Sequence, residues 1–178
     1  GKRHSYLSYA GVVFGDRNGI YGPFNQVLGG RDNTVYGNYS TVTGGRFNQA
    51  IGGYTTILGG RENKSTGSYS SVVGGQLNHT IGEYSVVITG ETNITQGNKS
   101  AVISGSSNVA KGTASTVVGG DGNEPQGSFS VIVSGSNNRA IGESAAVLGG
   151  GNNSADSRSS VVLGEIAKTN NNQFTVIP

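Results

Sequence analysis

Side chains able to do chemistry are few in this chain. There are two histidines, His4 and His79, far apart and not spaced as a metal pair. The acids Asp16, Asp32, Glu83, Glu91 and Glu143 occur singly. A paired-carboxylate glycosidase would need two of them to meet across the fold, and a carbohydrate-cleaving spike is the weakest of the functional readings. Gly-Gly pairs recur, but without the strand–loop–helix setting of a phosphate loop, and no Gly-Lys-Ser/Thr follows them. A calcium-binding nonapeptide array needs an aspartate in each unit, which is missing. With no cysteine there is neither a disulfide framework nor a thiolate metal site. The expectation is a protein that is not an enzyme, with no catalytic residue, metal site or cofactor.

What does recur is asparagine. Asn18, Asn33, Asn48, Asn63, Asn78, Asn93, Asn108, Asn123, Asn138 and Asn153 fall every fifteen residues without a slip. Glycine keeps the same period from Gly15 to Gly150, and a second series runs from Gly22 to Gly142. Ten such units indicate a solenoid. Each divides into a seven-residue half, xxNxAxG, and an eight-residue half, xYSxVxGG. Each half alternates over a few residues and ends on glycine, which is strand logic. Frequent glycine and β-branched residues exclude helix. The chain should therefore be all-β, a parallel β-roll (β-solenoid) of about eleven 15-residue coils with two short strands per coil. At ~4.8 Å per coil the rod is on the order of 50 Å long. Residues 1–164 form the repeat domain. Residues 165–178, with Lys168 in the Asn slot, are either a cap using Phe174, Val176 and Ile177 or a lead-in to a following segment.

Alternation assigns the faces. Val12, Val27, Val42, Ile57, Val72, Val87, Val102, Val117, Ile132, Val147 and Val162 should point inward. So should the Asn column, as an amide ladder along the axis. The next slot should point outward, yet it is greasy: Val13, Leu28, Leu58, Val73, Ile88, Ile103, Val118, Val133, Leu148 and Leu163, with Thr43 the single exception. Its same-face companion, from Gly11 and Gln26 to Val161, carries no charge either. The opposite strand carries Lys64, Lys111, Glu124, Arg139 and Asp156, as a solvated face would. An uncharged aliphatic strip of about 500 Å² is near the largest patch left bare on a monomer. We therefore expect it to be an intersubunit strip, with a homotrimer the expected state. Tyr9, Phe24, Tyr39, Tyr54, Tyr69, Tyr84 and Phe129 share a turn slot, where stacking would fix register; the other reading of that column is a carbohydrate platform. Arg31, Arg46 and Arg61 belong to a variable exterior open to a partner.

Composition bounds the rest. Gly is 32 of 178 residues and charged residues are 12%, about half the usual ~25%. The net charge of +2 with no basic block argues against nucleic acid. No apolar run approaches the ~18 residues of a membrane span, so this segment is not expected to insert. The chain begins in phase with the repeat at Gly1, as a fragment or processed product would. Six sequons, at Asn38, Asn63, Asn78, Asn93, Asn98 and Asn152, include three in the interior column that could not carry glycan.

Runs such as YSTVTGGRFNQAIG, YSSVVGGQLNHTIG and ASTVVGGDGNEPQG resemble the head repeats of trimeric autotransporter adhesins and related fibre proteins of phages and large viruses. The likeness covers Tyr9 to Gly164. It implies a left-handed roll, a trimer, and display on an extracellular, cell or virion surface to hold a host surface protein or glycan. The coils differ from that family's in having fifteen residues and a Gly-Gly turn. The 7 + 8 spacing also resembles grass ice-binding β-rolls, whose repeat reads xxNxVxGxxNxVxxG. That resemblance implies a monomeric antifreeze protein whose flat uncharged wall orders water.

Overall fold

The computed structural model describes residues 3–164, together with the backbones of Thr169–Asn170 and Val176–Ile177. The described chain is all-β, and every strand is two residues long. The eight-residue halves form one twelve-stranded parallel sheet, from Val12–Val13 through to Val176–Ile177, stacked in chain order (sheet B). The seven-residue halves form the facing sheet A, which has eight strands from Ser5–Tyr6 to Val109–Ala110 and four from Glu124–Pro125 to Thr169–Asn170. The division has a local cause. Pro125 has no N–H, so one rung of the ladder to the preceding coil is lost. The bonds that do not need that N–H persist, with Lys111 N donating to the Pro125 carbonyl at 3.0 Å.

Register is fifteen residues along almost the whole rod, as in Val42↔Ile57 and Thr80↔Thr95. It continues past Gly164, where the sequence pattern ends: Val161 pairs with Val176 and Val162 with Ile177. Phe174, the other residue of the expected cap, lies outside the described residues.

Two corners close each coil, and both use the left-handed backbone region. One corner runs through Asp32, Phe47, Glu62, Leu77 and Thr92, the other through Phe24, Tyr39, Tyr54, Tyr69 and Tyr84, all with φ between 55° and 57°. Side-chain-bearing residues adopt this region at a cost of roughly 1–2 kcal/mol each. The stack over-determines it: the corner N–H donates to the coil before, as Tyr54 N does to Asn38 O at 2.8 Å and Glu62 N to Arg46 O at 2.9 Å.

The interior is one side chain thick. The Val/Ile column from Val27 to Val162 is fully buried, facing Val35, Ala50, Ala110, Ala140 and Ala155 from sheet A. Hydroxyls fill the middle coils, where Ser65, Ser70 and Thr80 bond one another at 2.7–3.0 Å.

The first coil departs from expectation. Val12 pairs with Gln26 and Val13 with Val27, a fourteen-residue register. Val13 packs against the core and Val12 is exposed, the reverse of the alternation assigned to them. The cause lies at Gly15, a single glycine where later coils have two residues, as at Gly29-Gly30. Every slot before it shifts by one. Phe14 takes the outward slot given to Val13, and Ala10 takes the corner slot with φ 53°. His4 takes the Asn slot, its Nδ1 lying 3.3 Å from the Asn18 N–H. Tyr6 occupies an inward slot and crosses the coil; its hydroxyl donates to Gly11 O at 3.0 Å and accepts from Gly11 N at 3.2 Å.

Candidate functional site

The outer face of sheet B is the surface on which a function can be built. The strand backbone alternates, so burying Val42, Ile57, Val72 and their column turns the two flanking columns outward. The outer column next to the Gly-Gly turn reads Phe14, Leu28, Thr43, Leu58, Val73, Ile88, Ile103, Val118, Val133, Leu148 and Leu163. Leu58 keeps 49% of its surface, and Leu28 and Leu148 keep 45% each. Ile103 and Val133 are half-buried by their neighbours. The companion column begins with the exposed Val12 and Gln26, is half-buried from Thr41 on, and changes along the rod. After Val12 its residues are Gln26, Thr41, Thr56 and Ser71 in the N-terminal coils, then Val86, Ala101, Thr116, Val131, Ala146 and Val161. The face is therefore hydroxyl-rich over Thr41, Thr56 and Ser71 and, Thr116 apart, aliphatic over the last six coils.

Beside the strip stands the first residue of the Gly-Gly turn. A Cβ placed at Gly44, Gly59 or Gly74 would meet nothing within 4 Å. This position tolerates Thr89, Ser104 and Ser134 in other coils. The second glycine is different, because its φ is positive and its Cβ would fall on the carbonyl of the next coil.

The ten asparagines all lie buried in one column. Their ladder runs mostly from side chain to backbone. From Asn18 to Asn138, each Oδ1 accepts the N–H of the next Asn, as Asn48 Oδ1 does from Asn63 N at 3.0 Å. Each Nδ2 reaches turn carbonyls, as Asn63 Nδ2 does to Gly59 O at 3.1 Å and Gly75 O at 2.9 Å. Direct amide-to-amide bonds occur in a few coils, such as Asn108 Nδ2 to Asn93 Oδ1 at 3.1 Å. This column binds the coils together, and its burial keeps Asn63, Asn78 and Asn93 from any glycan-transferring enzyme.

The corner residues divide by type. Phe24, Tyr39, Tyr54, Tyr69 and Tyr84 stack at 4.7–5.0 Å with interplanar angles of 4–9°. Tyr9, expected in that column, sits one slot earlier and meets Phe24 edge-on at 5.2 Å and 70°. Phe129 stands in the same column beyond Lys99 and Ala114, and is exposed. At the other corner Arg31, Arg46 and Arg61 are directly paired through the backbone. Arg31 and Arg17 share Asp16 and Asp32 at 2.9–3.8 Å, Arg61 Nε reaches Glu62 at 2.8 Å, and Arg46 lies 4.6 Å over the Phe47 ring. Coil stacking thus brings Asp16 and Asp32 to the same two arginines, with both oxygens of Asp32 and Oδ2 of Asp16 facing them.

The opposite face, on sheet A, carries Lys64, His79, Lys111, Glu124 and Arg139. Burial, then the nearby Lys64 charge, holds the His79 imidazole below its ordinary value; Nε2 lies 3.1 Å from Thr66 Oγ1. Burial alone would raise Glu124. The hydrogen bonds from Lys111 (2.6 Å) and Gln126 outweigh it and hold the carboxyl below its ordinary value. Among the described residues no three His, Cys, Asp or Glu come together as a metal site, and no helix is long and apolar enough to cross a membrane. No protein-family model matches the chain, and no curated protein matches it either.

Proposed function

We propose that this chain is the rigid shaft or head of a homotrimeric fibre on an extracellular, cell or virion surface, where it presents a surface to a host protein or glycan. The observation that carries the reading is the exposed outer column of sheet B, aliphatic or aromatic in ten of its eleven coils and uncharged in all of them. Most of its side chains keep two-fifths or more of their surface. Covering ten of them would contribute on the order of 10 kcal/mol gross, before ordering costs. A single coil has too thin an interior to hide these groups itself. Sister chains offer an identical strip at an identical 15-residue period, so aliphatic coils meet aliphatic coils when the rods run parallel. Three parallel rods can each place one flat wall against a common axis.

The experiment is a mass measurement in solution. The fibre reading expects three times 18.1 kDa. A second reading, a monomeric ice-binding roll, is favoured by the hydroxyls of Thr41, Thr43, Thr56 and Ser71 on the N-terminal part of the same face. A species of single-chain mass that lowers the freezing point below the melting point would replace the fibre by that reading.

A further inference from the structure

The corner between the two sheets at the N-terminal end carries features that fibre assembly does not use. Tyr6, Leu7, Ser8, Tyr9, Tyr21 and Pro23 line an open cleft of about 420 Å³. That lies within the ~300–1,000 Å³ range of small-molecule sites. None of the six is charged.

The cleft follows from the shortened first coil. Within the Phe24–Tyr84 ladder, ring faces are covered by neighbouring rings, so a ligand lying along it would meet edges only. At the N-terminal corner this changes. Tyr9 is displaced by one slot and leaves the parallel stack, with 67% of its surface exposed. Tyr21 stacks one face on Tyr36, at 4.9 Å and 13°. The corresponding slot of the preceding coil holds Leu7, not a ring. Gly19 makes room for this ring, since a Cβ there would stand 3.0 Å from Tyr21 Cε2 and 3.2 Å from its hydroxyl. Two residues frame the cleft. The Tyr6 hydroxyl is committed to Gly11, and Ser8 Oγ to the Gly22 and Tyr9 carbonyls. The hydroxyls of Tyr9 and Tyr21, both lining residues, make no hydrogen bond among the described residues.

We propose that this corner binds neutral hexopyranose units of a glycan. A hexopyranose with equatorial hydroxyls has a flat C–H face that lies on an aromatic face, and its edge needs uncharged donors and acceptors. The cleft supplies both. Among the described residues none that lines it is a cation able to hold a sulfate or carboxylate, so acidic sugars are disfavoured. The site lies round the corner from the aliphatic strip, and its occupancy does not depend on whether that strip is covered.

The test uses the whole chain with ¹³C-labelled tyrosine rings, titrated with cellotetraose and with β-1,4-galactotetraose. Saturable shifts are expected at Tyr9 and Tyr21 with a millimolar dissociation constant. Tyr9→Ala and Tyr21→Ala should each weaken binding at least tenfold, and Tyr84→Ala should leave it unchanged. An unaltered solution mass of Tyr9→Ala separates loss of the site from loss of assembly. The proposal is overturned by no saturable shift with either sugar, by equal shifts at Tyr54, Tyr69 and Tyr84, or by shifts that follow protein concentration instead of sugar. Tighter binding of a sulfated disaccharide than of either neutral probe overturns it as well.

Discussion

Asn93 is buried, and its side chain makes four hydrogen bonds to three neighbours. Its Nδ2 donates to Thr89 O at 3.2 Å and Gly105 O at 2.8 Å, and its Oδ1 accepts from Asn108 N at 3.0 Å and Asn108 Nδ2 at 3.1 Å. Removing the amide leaves buried polar groups without partners, at about 1–3 kcal/mol each. Asn93→Ala should therefore destabilise the central coils by at least about 3 kcal/mol. Amide hydrogen exchange would localise the loss, and protection at Asn108 and Gly105 equal to that of the parent protein would contradict it. His79 gives a pH-dependent counterpart. Its folded pKa is depressed by burial and then by Lys64, so the unfolded chain binds the proton more readily. Its contribution to stability is present above the unfolded value of about 6.5 and is lost as pH falls through the folded value. An NMR titration should place His79 below the ordinary histidine value, and Lys64→Gln should move it back upward. A titration midpoint indifferent to Lys64 would remove that charge from the account. Both residues were visible in the sequence, Asn93 by its period and His79 as one of two histidines. The partners were not, because a fifteen-residue period states which column a side chain occupies and nothing about which carbonyls it faces.

At the scale of the coil, the two glycines of one turn have different physical standing. Gly59 has open space where a Cβ would go, whereas Gly60, at φ +87°, would drive one into the Gly75 carbonyl. Gly59→Ala should be neutral or stabilising by up to ~1 kcal/mol, through the entropy of the unfolded chain. Gly60→Ala combines a backbone clash with left-handed strain and should cost several times that. Denaturant midpoints of the two variants compare them directly, and equal midpoints would show that the turn geometry is wrong. The doublet itself reads from the sequence as one turn signal. Its inequality does not, since it arises from contact with the next coil. The same limit explains the first coil. Period-2 alternation located the Val/Ile interior column from Val27 to Val162, but Val12 and Val13 are both β-branched, so hydrophobicity could not choose between them. The missing second glycine before Asp16 was the available signal. The left-handed corners had only a sparse signal, in Asp32, Gly122, Asn137 and Asn152; Phe, Tyr, Leu, Glu and Thr at the other corner positions are residues that local preference would place elsewhere, and coil-to-coil hydrogen bonds hold them there.

For the whole rod, the gradient along sheet B makes the fibre reading sharper than a statement of mass. The companion column changes from Gln26, Thr41, Thr56 and Ser71 to Val86, Ala101, Val131, Ala146 and Val161, with Thr116 the one hydroxyl among them. Apolar cover is thus densest from Val86 onward, where both outward columns are aliphatic in most coils. A charge introduced there must be buried without a partner if sister chains cover the face, which costs several kcal/mol per chain. In a threefold assembly the penalty is felt three times. Ile103→Lys should dissociate the assembly at micromolar concentration while leaving the single rod folded, because the residue faces outward and supports no interior contact. Thr43→Lys, four coils away on the hydroxyl-rich part, can direct its ammonium to water along the same wall and should retain the parent mass. Sedimentation of the parent chain and both variants separates the outcomes. An Ile103→Lys rod as large as the parent would mean that the aliphatic coils are not the contact. An equal loss in both variants would mean that the contact ignores the gradient, leaving the exposed column without the role given to it.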